Sequence, residues 1–171
     1  SAFFYDGVNR EILRNIDGNN LLTVSVGSVP EKAFRGIRPE ICVRQLIYGV
    51  KDNIRIRKAG KAFSQKVHFV TIGYIESRKG QDILISAIKM LPEEIRRQAD
   101  FLLVGQDSSL LAKEIKKDMA NITGVTIVGR VNREQIDEIL DKADVLVCPS
   151  REDPMPTVAA EAMMHGVPCL I

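Results

Sequence analysis

The sequence predicts an α/β fold, a doubly wound parallel sheet with helices on both faces. From residue 67 onward, short apolar runs alternate with segments in which apolar side chains recur at helical spacing. Such alternation is typical of right-handed βαβ crossovers, which place the strands parallel. The runs are apolar throughout and rich in β-branched residues, which indicates strands covered on both faces.

The regular part of the chain is predicted element by element from this pattern. Each apolar run is short enough for a buried strand, and each segment between two runs has one apolar stripe, as a helix packed on a sheet requires. The predicted strands are 67–72, 101–104, 125–128, 145–147 and 168–171. The predicted helices run from the turn at Lys79 through Leu91, over 110–119, over 133–140, and from 154–157 past Glu161.

The first 66 residues are less regular. Apolar residues at helical spacing predict a helix over 3–16, ended by the turn residues 17–20. Strands are predicted at 21–26 and 41–47, with a loop over 27–39 that has room for a short helix. The segment 53–66 is basic and is interpreted as a solvated face or linker; a phosphate-binding patch is the alternative. Its basic residues are Arg55, Arg57, Lys58, Lys61 and Lys66.

Composition restricts the function classes. The chain has 171 residues, 45% hydrophobic and 27% charged, with a formal net charge of +2. This charge is too small to favour nucleic acid or an anionic membrane as a partner. No stretch approaches the roughly 20 apolar residues of a membrane span, and no signal peptide is recognised. We therefore expect a cytoplasmic protein, and the abrupt ends of the sequence suggest a piece of a longer chain.

The cysteines predict no metal site and no disulfide. Cys42, Cys148 and Cys169 are odd in number, lie in or beside apolar runs, and lack the spacing of metal ligands. Buried free thiols in a reducing compartment are the expected arrangement.

Three predicted strands end in a glycine, at Gly73, Gly105 and Gly129. In doubly wound sheets ligands bind at the carboxyl ends of the strands, and glycine there allows a close approach of the backbone. Ordinary turn chemistry is the alternative for any one of them. Lys79 follows in the turn after the first strand, where it is either a solvated lysine or the partner of an anion such as a pyrophosphate. Neither a G-x-G-x-x-G sequence nor a Walker lysine motif occurs, which argues against NAD and P-loop chemistry.

The C-terminal run adds two carboxylates to this edge of the sheet. Asp153 lies where a loop turns into the last predicted helix, and Glu161 lies about two turns along that helix. Two carboxylates beside free N–H donors and a positive dipole end suit a phosphorylated or hydroxyl-rich ligand.

These segments together resemble a known family. Gly73-Tyr-Ile-Glu-Ser-Arg-Lys79-Gly80 and the residues after it resemble the first donor-site loop of retaining GT-B glycosyltransferases, the family 4-like glycosyl transferases group 1. Val104-Gly105 and Val128-Gly129-Arg130-Val131 resemble the next two strand ends. Asp153 and Glu161, with seven residues between them and followed by 162–168, are similar to the family's two-acid signature. The resemblance covers 67–171 closely and 21–52 weakly, where 47–52 is similar to the segment before the interdomain linker.

The resemblance implies the Rossmann-like half of a GT-B fold and a division into three parts. Residues 1–52 would be the tail of an N-terminal acceptor domain with the approach to the linker, 53–66 the linker, and 67–171 a donor domain truncated at its C-terminus. The protein would bind a nucleotide-diphosphate sugar and would need no cofactor.

The resemblance also implies roles for individual residues. Lys79 would neutralise the donor diphosphate, which the family also binds through an arginine after the first glycine; here that position is Tyr74, and Arg78 could compensate. Glu161 would accept hydrogen bonds from ribose hydroxyls. The implied catalytic residues are Lys79, Asp153 and Glu161. The implied substrate-binding residues are Gly73, Tyr74, Arg78, Lys79, Gly105, Gly129, Arg130, Val131, Asp153, Met155, Pro156, Thr157 and Glu161.

Within that set, the segment 129–131 would contact the base through its backbone. Asp153 stands where the family has a glutamate near the donor sugar, and aspartate is shorter by one methylene. Backbone N–H groups at the start of the last helix would hold the sugar or the α-phosphate. Met155 and Thr157 remain as donors, because the prolines beside them have no N–H.

The implied reaction is glycosyl transfer with retention, in which lysine and helix dipoles stabilise the leaving diphosphate instead of a metal. The sequence contains no Asp-x-Asp motif. The acceptor, a glycan, a lipid or another molecule, would bind the N-terminal domain, so this chain alone would bind donor without turnover. Polysaccharide or glycoconjugate synthesis is the expected context, with no nucleic-acid partner, and the full-length protein could associate peripherally with a membrane.

Two other functions stay open. Tyr74 and Asp153 depart from the family's pattern, so the chain could be a catalytically inert nucleotide-sugar-binding module. A nucleotide-sugar epimerase of GT-B fold shares the architecture. His68 and His165 invite a catalytic interpretation, but structural roles are favoured, because His68 alternates within a strand and His165 precedes a helix-ending glycine.

Overall fold

The structure is a computed structural model. It describes residues 23–25, 28–40, 42–46, 66–119, 122–153 and 156–171, with the single positions 11, 14, 15 and 49. The chain divides into two compact units, Ser1–Gly49 and Val50–Ile171. The predicted helix 3–16 and the linker 53–66 lie largely outside the described residues.

Strands and helices alternate along the chain. The strands are β1 (Thr23–Ser25), β2 (Val43–Gln45), β3 (Val67–Ile72), β4 (Ala99–Val104), β5 (Val125–Val128), β6 (Val145–Val147) and β7 (Cys169–Leu170). The α-helices are α1 (Ser28–Ile37), α2 (Gln81–Met90), α3 (Glu93–Arg96), α4 (Leu110–Met119), α5 (Arg133–Lys142) and α6 (Thr157–Met164). A short 3-10 helix, Ser77–Lys79, precedes α2.

The second unit contains one parallel sheet with the strand order β5-β4-β3-β6-β7. The chain enters at β3, adds β4 and β5 on one side, and then crosses to add β6 and β7 on the other. The strand order therefore reverses between β3 and β6. In open α/β sheets the crevice at such a reversal, outside the carboxyl ends of the strands, is where ligands bind.

Helices cover both faces of this sheet. On one face, α2 and α4 pack against β4 through a buried cluster that includes Ile85, Ile115 and Leu103. On the other face, a second cluster joins α5 and α6 to β3 and β6, with Leu140 and Leu146 fully buried. The predicted doubly wound α/β sheet is confirmed.

The element bounds differ from the predictions in a few places. β4 begins at Ala99, two residues before the predicted start, because Ala99 and Asp100 pair in register with the first two residues of β3. Lys79 lies in the 3-10 turn, and α2 begins at Gln81 after Gly80. The short helix α3 was not predicted.

The first unit contains a parallel pair, β1 and β2, in register from Thr23 opposite Val43. The connection between them is the ten-residue helix α1, longer than the short helix expected within a loop. Pro30 lies in the first turn of α1, where a missing N–H removes no intrahelical hydrogen bond.

Candidate functional site

The carboxyl ends of β3, β4 and β5 surround a cavity of about 180 Å³. The ladder continues into the strand-end glycines, since the Gly73 amide donates to Val104 O at 2.9 Å and the Gly105 amide to Val128 O at 3.0 Å. The cavity is lined by Ile72, Gly73, Tyr74, Val104, Gly105, Gln106, Arg130, Val131 and Ile136. Five of the implied substrate-binding residues thus line one cavity: Gly73, Tyr74, Gly105, Arg130 and Val131.

Gly105 is required by a close approach of two strand ends. Its φ is +154°, and a Cβ at this position would lie 1.9 Å from the carbonyl oxygen of Gly73. The wall of the cavity therefore depends on a residue without a side chain. Gly129 is different, because a Cβ there would meet nothing closer than Asp107 Oδ1 at 3.8 Å.

Lys79 and Asp153 meet at the point where the strand order reverses. Lys79 follows β3 and Asp153 follows β6, and Lys79 Nζ lies 2.5 Å from Asp153 Oδ2. Their side chains are only 21% and 13% exposed. An ammonium group has three donors, so two remain for a further oxygen-rich partner. The structure thus brings together the cation and the first acid that the sequence singled out.

A set of contacts that was not predicted joins the loops carrying these two residues. We call it the loop clasp: the Arg151 guanidinium bonds both carboxylate oxygens of Asp82, at 2.8 and 2.6 Å, and the carbonyl of Ser77 at 2.6 Å. The hydrogen bond from Arg151 holds the pKa of Asp82 below its usual value. The main chain adds to the clasp, since the amides of Arg151 and Glu152 both donate to Arg78 O.

Arg78 itself faces these loops. Its guanidinium donates to Glu76 Oε1 at 2.8 Å and to the carbonyl of Glu152 at 3.4 Å. Gly80, next to Lys79, has a φ of +69°, and a Cβ there would lie 2.0 Å from the carbonyl oxygen of Pro149. The two loops therefore approach at backbone contact distance.

The side chain of Gln81 fixes the backbone of the loop after β3. The sequence pattern did not reveal this residue. Gln81 is 1% exposed, and its amide donates to Tyr74 O at 2.8 Å. Its side-chain oxygen accepts from the Glu76 amide at 3.4 Å. With its backbone fixed in this way, the Tyr74 side chain extends from the cavity wall and is 58% exposed.

Glu161 lies in the second turn of α6 and is paired with Arg133. Arg133 Nη1 donates to Glu161 Oε1 at 2.6 Å, which raises the pKa of the arginine. Arg133 begins α5, and a capping box in which Asn132 and Gln135 exchange side-chain and backbone hydrogen bonds fixes the start of that helix. Its sequence signal, Asn-x-x-Gln before a helix, could have indicated this position.

At the start of α6, Pro156 occupies the N-cap and Thr157 is the first helical residue and exposed. Met155 lies outside the described residues. The first turn of any helix has N–H groups without an intrahelical partner, and Thr157 contributes one of them.

Both histidines have structural surroundings. His165 is 2% exposed, with Nδ1 2.7 Å from Asp141 Oδ1 and Nε2 3.4 Å from Asp137 Oδ1. His68 is the second residue of β3, at the end of the strand opposite the cavity, and lies 3.7 Å from Asp100. These placements agree with the structural roles favoured from the sequence.

The cysteines are all free, and one expectation about them was wrong. Cys148 is buried and Cys169 half-buried, but Cys42 is exposed. Cys42 directly precedes β2, and the buried position is taken by the first residue of that strand, Val43. Burial raises the pKa of the Cys148 thiol to about 11.

Among the described residues, no cluster of three or more His, Cys, Asp or Glu side chains could hold a metal ion. No helix in the described part of the chain is long and apolar enough to cross a membrane.

Comparison with known proteins decides the family. The profile of the family described as glycosyl transferases group 1 matches residues 52–171. The chain belongs to this family. The match includes every residue of the cavity and of the loop clasp.

Named relatives support this assignment. The chain is 28% identical over 135 residues to the Escherichia coli lipopolysaccharide glucosyltransferase WaaG, covering 79% of this chain and 35% of WaaG. It is 31% identical over 114 residues to granule-bound starch synthase 1 of Triticum aestivum, covering 66% of this chain and 18% of the synthase. A Klebsiella pneumoniae protein described as an uncharacterized 41.2 kDa protein in the cps region is 26% identical over 118 residues, which are 68% of this chain and 31% of the relative. The chain thus spans about a third or less of these curated relatives.

Solved structures of GT-B glycosyltransferases share the fold. The Anabaena protein Alr3699/HepE, in complex with UDP and glucose, gives a TM-score of 0.79 at 20% identity, covering 99% of this chain and 49% of that one. The WaaG structure gives a TM-score of 0.69 at 21% identity, covering 85% and 42%. The predicted membership in the GT-B class is confirmed.

Proposed function

We propose that residues 67–171 form the donor-binding domain of a retaining, metal-independent glycosyltransferase, with 53–66 as the linker and 1–52 as the end of the acceptor domain. The donor is a nucleotide-diphosphate sugar, and the acceptor is a glycan, a lipid or another hydroxyl-bearing molecule in polysaccharide or glycoconjugate synthesis. We place the protein in the cytoplasm, where the full-length form can associate peripherally with a membrane.

One observation carries the proposal: Lys79 and Asp153 meet at the reversal of the strand order, on the edge of the sheet that holds the glycine-walled cavity. This is the crevice where α/β sheets bind ligands. A lysine ammonium with two donors to spare suits a diphosphate, and the cavity between Gly73 and Val131 suits the base. The HepE complex with UDP and glucose makes a uridine nucleotide the first donor to test.

The proposed chemistry exchanges one bond at the anomeric carbon. The bond from this carbon to the diphosphate oxygen breaks, a bond to the acceptor oxygen forms on the same face of the sugar, and the proton of the acceptor hydroxyl passes to the departing diphosphate. Negative charge develops on the departing diphosphate, and Lys79 with the N–H groups at the start of α6 stabilises it. Asp153 contacts the donor sugar, and Glu161 accepts hydrogen bonds from the ribose.

Calorimetric titration of the 171-residue chain with UDP, GDP, ADP and UDP-glucose tests the proposal. We expect one nucleotide to bind, and we expect Lys79→Ala and Glu161→Ala each to weaken it about 10- to 100-fold, the range for hydrogen bonds to charged groups. The matched control is Lys89→Ala, a lysine near the end of α2 that pairs with Asp118 at 2.8 Å, on the opposite edge of the sheet. EDTA should leave the affinity unchanged.

Absence of binding by every nucleotide, or an equal loss in the Lys89 variant, would contradict the proposed donor site. A second function is favoured by the exposed Tyr74 at the position of the family's arginine: a nucleotide-sugar-binding module without turnover. In that case the donor binds, and the full-length protein releases no nucleoside diphosphate in the presence of any acceptor. Interconversion of the donor sugar without an acceptor would indicate the epimerase instead.

A further inference from the structure

Arg133 connects the cavity side of the sheet to the second acid of the signature. It is the first residue of α5, directly after the strand end 129–131, and Glu161 lies 28 positions further along the chain. The Arg133 side chain is 44% exposed, whereas that of Glu161 is 17% exposed. The arginine therefore reaches inward from the surface to a carboxylate that solvent contacts little.

The position of Arg133 is itself fixed. The capping box of Asn132 and Gln135 holds the first turn of α5, and Asp137, one turn along, lies 3.7 Å from the same guanidinium. Only one oxygen of Glu161 receives the bond from Arg133. A carboxylate has about four lone-pair sites on its two oxygens, so acceptor capacity remains for another hydroxyl or N–H donor.

We infer that Arg133 is a positioning residue that orients the Glu161 carboxylate for the ribose hydroxyls of the donor, an inference that rests on the donor-binding role proposed for Glu161. A free glutamate side chain samples many rotamers, and ordering it on binding weakens affinity. The hydrogen bond from Arg133 orders it beforehand. Arg133 need not touch the donor to have this effect.

The pair is expected to contribute more to binding than to folding. Ion pairs with a partner this exposed add little to stability, because solvent screens them. If Arg133 had a purely structural role, its replacement would lower the melting temperature and leave the preference between ribose and 2′-deoxyribose unchanged. A positioning role predicts the opposite: an almost unchanged melting temperature and a changed preference between ribose and 2′-deoxyribose.

The experiment compares the affinity of the chain for the ribonucleoside diphosphate that it binds, among UDP, GDP and ADP, with that for the 2′-deoxy counterpart. We expect Arg133→Ala to weaken ribonucleotide binding about three- to ten-fold, as for one side chain that must be ordered on binding, and to weaken 2′-deoxy binding by less, because that ligand offers Glu161 only its 3′-hydroxyl. Arg133→Lys should restore part of the loss. Arg97→Ala is the matched control, since Arg97 forms an exposed pair with Glu93 in α3. If Arg133→Ala does not fold, Arg133→Gln carries the same comparison.

The outcomes distinguish failure of the positioning role of Arg133 from failure of the proposed donor-binding function. If Glu161→Ala reduces the preference for ribose and Arg133→Ala does not, the inference about Arg133 is wrong and the proposed function stands. A gain in ribonucleotide affinity in Arg133→Ala also overturns the inference, because the arginine would then compete with the ribose for Glu161. If the chain binds no nucleotide, or Glu161→Ala changes nothing, the proposed function fails and the inference fails with it.

Discussion

Replacing Gly105 with alanine tests how the strand ends form the cavity wall. Gly105 follows β4, and its φ of +154° lies in a region that L residues rarely adopt. An added Cβ would lie 1.9 Å from the carbonyl oxygen and 2.7 Å from the carbonyl carbon of Gly73. Both are backbone atoms, so no side chain can rotate away, and the end of β3 or of β4 must move.

Two effects set the size of the destabilisation expected for Gly105→Ala. A residue held in a rarely populated backbone region costs about 1–3 kcal/mol, and forcing atoms into a packed site costs about the same again. We therefore expect Gly105→Ala to lower the free energy of unfolding by about 2–6 kcal/mol. Since domains are stable by only about 5–15 kcal/mol, the upper part of this range would leave much of the chain unfolded. For a chain of this length the melting temperature should fall by about 5–20 °C.

Urea denaturation and differential scanning calorimetry measure this effect, with Gly129→Ala as the control. Gly129 follows the neighbouring strand β5, but it lacks a positive φ, and its added Cβ would have only an ordinary contact at 3.8 Å. We expect a change of less than about 1 kcal/mol there. Equal effects of the two substitutions would refute the argument that the close approach of two strand ends, and not turn chemistry in general, requires glycine.

Three further predictions concern the loop clasp and the thiols. Asp82→Asn should lower the melting temperature by about 2 °C at pH 7, because it weakens the pair with Arg151, and wild type and variant should converge in acid. The sign follows from the lowered pKa of Asp82: its contribution is present above the unfolded pKa and is lost as pH falls through the folded pKa. Alkylation at pH 8, followed by mass spectrometry, should modify the exposed Cys42 well before the buried Cys148, and the reverse order would contradict the burial. Burial raises the pKa of the Cys148 thiol from an ordinary value of 9.0 to about 11, so between pH 9 and pH 11 the unfolded chain loses this proton more readily than the folded chain. The free energy of unfolding should therefore fall more in the wild type than in Cys148→Ala over this pH range, as urea denaturation at both pH values can show.

The sheet could be predicted because its signal is local. Each buried strand of the second unit is a short apolar run, and each helix has an apolar stripe, so neighbouring residues contain the information. The bounds were less accurate where a partner decides them. β4 starts at Ala99 because Val67 of β3 pairs with it, and this register depends on two segments that are far apart in sequence. The full length of α1 was not predicted, since only a short helix was expected within the loop 27–39.

The site was predicted in part, for the same physical reason. Lys79, Asp153 and Glu161 stood out by their places near strand ends and along the last predicted helix, and the resemblance then implied their roles. The residues that hold them did not, since Arg151 lies 69 positions from Asp82. Such pairs have no periodicity, and a charged residue in a loop resembles any solvated charge. Only Arg133 had a local signal, the capping box beside it.

The pairing of Lys79 with Asp153 means that the protein supplies the lysine's counter-ion itself. At long range an approaching anion meets a dipole and not a bare positive charge, and the field of a dipole falls off more steeply. A phosphate group bound at this point would use the two ammonium donors that Asp153 leaves, beside a carboxylate 2.5 Å from the same ammonium group. An ion that offers charge alone would gain little there, because the neighbouring carboxylate repels it. The pair thus favours anions that bring further contacts with them over the simple phosphate that is abundant in any cell.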